Sequence, residues 1–320
     1  MSGALDKLCP SRAKMLASIT NAVKYAQRLE EDQDSGQLDL FSLLETTDNK
    51  PELVNVPDFS DKYRLALEKS VLGLYLSGHP INVYQDELRF FIESTLDKLK
   101  PGTRERPNAC RVCGVVIASN ERTAKSDGHK FYIITIDDGT SQIEVSLHAR
   151  AAEEYGSILA QKREDDERAL NLTHDDHNVS SPLVLVLNAL VSVSEDSPLP
   201  RLRIQEMHSL EELRRANASS LILKLSEQTY RDKGELINKL INCARLPLAE
   251  YKQMQQRALI EGRSPYQFKA PGCRLQLLLG DTFIPFSGRN SRIDPSDFLI
   301  DGIRDAAGND AVQVNYSQAV

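Results

Sequence analysis

The sequence predicts a multidomain α+β protein. Three observations predict it. Apolar residues recur at helical spacing before residue 100, the period switches to strand at Cys110, and strands and helices mix after residue 218. A chain of 320 residues has room for about two or three compact domains.

Residues 1–30 read as helix-loop-helix. Pro10 and Ser11 punctuate, and Ala13, Leu16, Ile19, Ala22, Val23 and Ala26 then recur on one face, with Ser11 placed as an N-cap. Residues 31–65 are polar and acidic apart from one apolar island, QLDLFSLL, and read as a linker. Residues 66–105 form a helical connecting segment. Its helix begins near residue 61 and breaks at Gly78-His79-Pro80, because the residue before a proline is biased away from helix.

The middle, 106–210, is a β domain. CRVCGVVIAS, HKFYIITIDD and SQIEVSLH read as three strands, with Asp138-Gly139-Thr140 as the second turn. ARAAEEYGSILAQKRED reads as a helix, and PLVLVLNALVSVS and PRLRIQEM as two further strands. Strand-strand-strand-helix-strand-strand is the order of an OB-fold, a five-stranded Greek-key barrel. The last part, 218–320, runs strand-helix-strand-strand-helix-strand: LILKLS, KGELINKLINCAR, CRLQLLLG, TFIPF, PSDFLIDGIRDAAG and AVQVNY. That order predicts a two-layer α+β domain, with Ser296 or Asp294 at the start of the last helix.

Composition excludes several classes. Hydrophobic residues at 41% and charged residues at 27% exclude collagen-like and fully disordered chains. The longest apolar run, Leu183–Val193, is interrupted by Asn188 and is too short to span a bilayer, so no membrane partner is expected. Asp6 and Lys7 stand where a signal peptide needs an apolar run, which predicts a cytoplasmic protein. With 39 basic and 46 acidic residues the net charge is −7, so any phosphate-binding surface must be local. Five scattered cysteines fit reduced thiols.

No catalytic residue, metal ligand or cofactor is predicted. Cys110-X-X-Cys113 is half a zinc site with no second half, and it falls inside a strand pattern. His174 and His177 sit in a polar loop without a partner motif; a metal-dependent hydrolase would have to rest on them alone. Phosphate-loop, dinucleotide, nucleophile-elbow and zinc-protease motifs do not occur.

OB barrels bind single strands with cations for phosphate and aromatics for base stacking. Arg122, Lys125, Lys130 and Tyr132 supply that chemistry on and after the first hairpin loop. Phe131 and Tyr132 fall on opposite strand faces, so one is core and one exposed. The peptide Gln37-Leu38-Asp39-Leu40-Phe41 places apolar anchors in a polar linker, a pattern that fits a partner's cleft or a fold-back on its own domain.

LEKSVLGLYLSGHPINVY (67–84) resembles a recurrent sequence of bacterial DNA polymerase III alpha subunits, the replicative family C polymerases. SGALDKLCPSRAKML (2–16) resembles the end of that family's helix-hairpin-helix region, and QLDLF matches its internal sliding-clamp motif. The resemblance implies the C-terminal portion of such a subunit. It implies clamp contacts at Gln37, Leu38, Asp39, Leu40 and Phe41, and the clamp-loader tau subunit as partner of 218–320. Single-stranded DNA and the rest of the polymerase III core are the further partners it implies. The family's catalytic palm and metal-binding N-terminal domain have no counterpart here, so the resemblance implies no polymerisation by this chain alone. The segments 161–181 and 245–271 read as insertions. The alternative function is a stand-alone single-stranded nucleic-acid-binding OB protein.

Overall fold

The computed structural model describes residues 2–9, 11–34, 52–124, 128, 130–147, 149–170, 181–194, 197–245, 256, 272–285 and 292–316. The chain falls into two compact units, Met1–Gly78 with Arg168–Val179, and His79–Glu167 with Ser180–Val320.

In the first unit, residues 3–8 are turns, not the first of two helices. The Ser11 hydroxyl accepts the Lys14 N–H at 3.3 Å and opens α1 (Arg12–Asp34). The helix outruns the expected boundary at residue 30 because Glu30, Glu31 and Gln33 are good helix formers. Ser60 accepts the Tyr63 N–H at 3.3 Å and opens α2 (Asp61–Leu72), so the expected boundary at 65/66 falls inside a helix. The helix stops at Gly73, not at Gly78. Gly73 adopts φ 74°, a left-handed turn that other residues resist, and donates its N–H to the Lys69 carbonyl.

A buried carboxylate fixes the turn after α2. Glu68 accepts the N–H groups of Leu76 and Ser77 at 2.8 and 2.9 Å, while Arg12 donates to its other oxygen at 2.8 Å. Arg12 also forks onto Asp6 at 2.9 and 2.7 Å. Burial alone would raise the Glu68 carboxyl, but the Ser77 and Leu76 amides and Arg12 outweigh it and bring it down to about 2.

The second unit holds two mixed sheets. The first contains β1 (Gly102–Thr103), β2 (Asn108–Thr123), β3 (Lys130–Asp137), β4 (Gln142–Leu147), β5 (Val184–Ser194) and β6 (Ser197–Ser209). Their order is β1-β5-β2-β3-β4, with β6 on β5. The five expected strands are present, and two points correct the expectation of a closed five-stranded barrel. The two-residue β1 makes a sixth strand, parallel to β5. Among the described residues no ladder joins β4 to β6, although the two strands lie against each other. The chain leaves β4 after six residues to start α4 (Ala149–Leu170), which cuts pairing short. Helix α4 also takes up the first part of the segment expected as an insertion, 161–181.

Buried residues Val112, Val116, Ile134, Ile136, Leu185 and Leu187 form the core together with Tyr155 and Leu159 of α4. Each such burial stabilises by about 1.5–3 kcal/mol. Tyr155 donates to the Met207 carbonyl. At Gly114 the strands approach so closely that a Cβ would stand 2.9 Å from that of Ile136. A register shift follows between Val116 and Ala118 and bends β2.

A capping box, Ser209 with Glu212, starts α5 (Leu210–Asn217). The second sheet comprises β7 (Ala218–Leu225), β8 (Cys273–Leu279), β9 (Thr282–Pro285), β10 (Arg292–Ile293) and β11 (Val312–Tyr316). Its order is β10-β8-β7-β11, with β9 also on β8. Ser226 caps α6 (Glu227–Ala244), which therefore begins before the expected Lys233. Ser296 caps α7 (Asp297–Ala307). Leu221, Leu223, Leu275, Ile237, Ile300 and Ile303 belong to one core, so both helices pack on one face of this sheet. The segment expected as an insertion, 245–271, lies outside the described residues except Arg245 and residue 256.

Residues 79–92, which include α3 (Gln85–Leu88), run between the two sheets as a clasp. Their apolar side chains Ile81, Tyr84 and Leu88 pack with Cys113, Val115 and Val186 of the first sheet. Their polar side reaches the second layer. Glu87 accepts from Arg214 at 2.9 Å and from the Tyr316 hydroxyl at 2.9 Å, and Arg214 also donates to Asp297 at 2.6 Å. Phe91 packs edge-on to the Tyr316 ring, centroids 4.9 Å apart.

Candidate functional site

The β2–β3 hairpin carries the residues expected to meet a nucleic-acid strand. Arg122 is exposed on β2, directly opposite Phe131; Lys130 on β3 stands opposite Thr123, and Tyr132 opposite Glu121. Opposed residues share a face and successive ones alternate. Arg122 and Phe131 therefore share the outer face, and Lys130 and Tyr132 the inner one. The three expected residues that are described, Arg122, Lys130 and Tyr132, do not share one face.

Tyr132 is buried. Its ring lies under Gly156 of α4, where a Cβ would stand 3.2 Å from the hydroxyl. Its hydroxyl reaches Glu121 at 3.4 Å. It is thus the core member of the Phe131/Tyr132 pair. Lys130 is exposed and bridges to Glu121 at 2.6 Å. Hydrogen bonding between them lowers the Glu121 carboxyl and raises the Lys130 amine. Lys125 lies outside the described residues, as do Gln37, Leu38, Asp39, Leu40 and Phe41.

The outer face carries residues that sequence reasoning passed over. Asn120 stands opposite Ile133, which stands opposite Ser146 of β4, and Phe131, Ile133 and Thr135 are all half-buried there. An aromatic ring, a guanidinium and two small polar groups on one strand face are the chemistry that stacks a base and contacts phosphate. The missed signal was strand phase. Phe131-Tyr132-Ile133-Ile134 is apolar throughout, so alternation has two solutions until Ile136 and Asp137 are placed.

A second exposed pair, Arg201 and Arg203, alternates along β6 opposite Ser192 and Leu190. On the neighbouring strands Arg111 donates to Asn188 at 2.7 Å, and Asn188 to Glu206 at 2.8 Å. That relay holds Arg111 in the sheet.

The Gly-His-Pro break has a structural task. His79 Nδ1 accepts the Ile81 N–H at 3.2 Å and caps the turn over Pro80–Tyr84. Its Nε2 stands 3.2 Å from Asp137, which in turn accepts the Gly139 N–H at 2.8 Å. Asp138 accepts the Leu96 N–H at 2.7 Å. The β3–β4 turn is thereby tied to the clasp and to the segment before β1.

Among the described residues no group of three or more His, Cys, Asp or Glu side chains is placed to hold a metal ion. Burial pushes the Cys113 thiol up to about 12. No helix among them is long and apolar enough to cross a membrane.

No protein-family model matches the chain. Curated relatives do. The DNA polymerase III subunit alpha of Pseudomonas fluorescens is 31% identical over 335 residues, covering 98% of this chain and 24% of its own length. That of Vibrio cholerae is 26% identical over 323 residues, 99% of this chain and 24% of the relative. That of Escherichia coli K12 is 26% identical over 321 residues, again 99% and 24%. Among solved structures, RecG bound to a three-way DNA junction aligns with 57% of this chain and 22% of its own at 12% identity, with a TM-score of 0.22, too low to bear on the fold. Along 98–99% of its length the chain is homologous to DNA polymerase III alpha subunits, and it spans about a quarter of the length of the relatives it matches.

Proposed function

We propose that the chain is a clamp-tethering and template-handling part of a DNA polymerase III alpha subunit and works in DNA replication in the cytoplasm. The observation that carries this is the similarity over 98–99% of the chain to curated alpha subunits. The strand path β6-β5-β2-β3-β4, with its two ends adjacent, supports the OB-fold reading of the first sheet.

In this reading Gln37, Leu38, Asp39, Leu40 and Phe41 dock on the beta sliding clamp. A tethered peptide rebinds at high effective concentration, so modest affinity is enough for processivity. Arg122, Lys125 and Lys130 attract the single-stranded template, and Phe131 takes the stacking place expected of Tyr132. The sheet domain at 218–320 attaches to the clamp-loader tau subunit. Polymerisation itself belongs to the rest of the polymerase III core.

Surface plasmon resonance tests the reading. The sliding clamp should bind the chain in the micromolar range and lose the chain carrying Gln37→Ala, Leu40→Ala and Phe41→Ala together. No binding by either form sinks the clamp assignment.

A further inference from the structure

Helices α6 and α7 pack on one face of the second sheet, and the ladders fix what stands on the other. Opposed residues share a face. Lys224, Leu278 and Phe283 therefore form one row across β7, β8 and β9, and Arg274 and Arg292 another across β8 and β10, with Ile222 and Gln276 between them. Phe283 is 49% exposed, Lys224 and Arg274 are exposed, and Ile222, Gln276 and Leu278 are half-buried.

The face is basic in an acidic chain. With 46 acidic residues against 39 basic ones, none of the described side chains in these rows is a carboxylate. Asp281 and Asp310 border the face only from the turns before β9 and β11. Among the described residues neither Lys224 nor Arg274 has an acidic partner. Arg274 stands directly opposite Arg292, which donates to the Gly272 carbonyl. Like charges opposed across a ladder repel, and an anion laid over both turns repulsion into attraction. Lys224 and Phe283 flank β8 at two strand spacings, about 10 Å, and Arg274 lies about 13 Å along β8 from Leu278.

We propose that this face of the second sheet binds a nucleic-acid single strand, with Phe283 stacking a base and Lys224, Arg274 and Arg292 meeting its phosphates. Open sheets that carry exposed aromatic rings take unpaired bases in this way. A duplex keeps its bases stacked on one another and leaves Phe283 without a partner. An acidic peptide would satisfy the cations and make no use of the ring. The site goes beyond the proposed function: it is distinct from the β2–β3 hairpin and rests on neither the clamp nor the template assignment.

The test uses the full 320-residue chain carrying Arg122→Ala and Phe131→Ala, which removes the hairpin's contribution, and reads the fluorescence anisotropy of a labelled oligo-dT strand at low salt. Binding should persist in that background. Phe283→Ala should weaken it about five-fold or more, and Phe283→Tyr should keep it. Lys224→Ala with Arg274→Ala should lower the slope of log affinity against log salt by about 1.4, the share of two single-strand phosphates. Lys239→Ala on α6 removes one positive charge from the helix side and should change nothing. Ultraviolet crosslinking of the unsubstituted chain to a strand carrying iododeoxyuridine gives a variant-free readout, and mass spectrometry should find an adduct on Phe283. No binding in the hairpin-substituted background, unchanged binding in the sheet variants, or adducts confined to the hairpin overturns the proposal. So does a duplex that binds as well as the strand. Poly-glutamate that displaces the strand while Phe283→Ala changes nothing overturns it too, and makes an acidic protein the occupant. Binding lost with the sheet variants and untouched by the hairpin ones supports this site and overturns the hairpin assignment alone.

Discussion

Glu87 and Arg214, 127 residues apart in the chain, meet through a 2.9 Å hydrogen bond from the Arg214 Nε to the Glu87 Oε2, and Arg214 is wholly buried. Arg214 also reaches Asp297, and Arg304 stands 3.6 Å from the other Glu87 oxygen. Burial alone would lower the Arg214 guanidinium, but Glu87 and Asp297 hold it charged. The clasp, the helix between the sheets and the last helix are therefore joined by charge. Removing one member of a buried pair strands the other, at a cost of about 3–5 kcal/mol, whereas an apolar replacement of both is often close to neutral. Arg214→Met should cost that much in urea unfolding, and Glu87→Leu with Arg214→Met should recover most of it. A loss below about 1 kcal/mol for the single variant would show that the pair is solvated.

That clasp also marks the limit of sequence reading. Strand positions were legible because Val, Ile and Leu recur with turn residues between them, as at Asp138-Gly139-Thr140. Ser11 and Ser296 were legible as caps because their chemistry is local. Glu87 was not: in Gln85-Asp86-Glu87-Leu88 it reads as one more solvated helix charge, and its partners come from more than 100 residues away. Tyr132 was misplaced for a different reason, since four apolar residues in a row leave strand phase undetermined.

Glu68 makes a prediction in pH. Its carboxyl is lowered from 4.5 to about 2 in the folded chain. A group whose folded pKa is depressed contributes stability that is complete above its unfolded value and lost as pH falls. Unfolding free energy should therefore drop between about pH 4.5 and pH 2. In Glu68→Gln that part of the profile should flatten, with the variant weaker than the parent near neutral pH and equal to it near pH 2. A variant profile parallel to the parent's would mean that the carboxylate is not held by the Leu76 and Ser77 amides.

The cysteines should divide by exposure. Cys243 is exposed, whereas Cys113 and Cys273 are buried and their thiols are pushed up to about 12 by that burial. An aromatic disulfide reagent added to the native chain should modify Cys243 first. Cys113 and Cys273 should react only on unfolding. Fast modification of Cys113 would place β2 at an open edge, contrary to its pairing with both β3 and β5.

Gly114 predicts a steric cost. A methyl there meets the Ile136 Cβ at 2.9 Å and the Asp137 amide nitrogen at 3.1 Å, both fixed by the strand ladder. Gly114→Ala should destabilise by about 1–3 kcal/mol through forced separation of β2 from β3. The gain in backbone rigidity from replacing glycine, about 0.4–1 kcal/mol, is too small to offset it. Equal or higher stability would mean that the bend at Val116–Ala118 absorbs the methyl.

The outer face of the hairpin gives the last test. If the template lies there, Phe131→Ala should weaken binding of an oligo-dT strand by the value of one stacked base, about 1–3 kcal/mol. That is about five-fold or more in affinity. Tyr132→Phe, which alters only a buried hydroxyl, should leave affinity unchanged. Arg122→Ala should reduce the slope of log affinity against log salt by about 0.7, the share of one single-strand phosphate. Lys130→Ala should change the slope less, because Glu121 already pairs with that amine. The opposite ranking, with Tyr132 and Lys130 dominant, would move the strand to the inner side of the hairpin and require α4 to open.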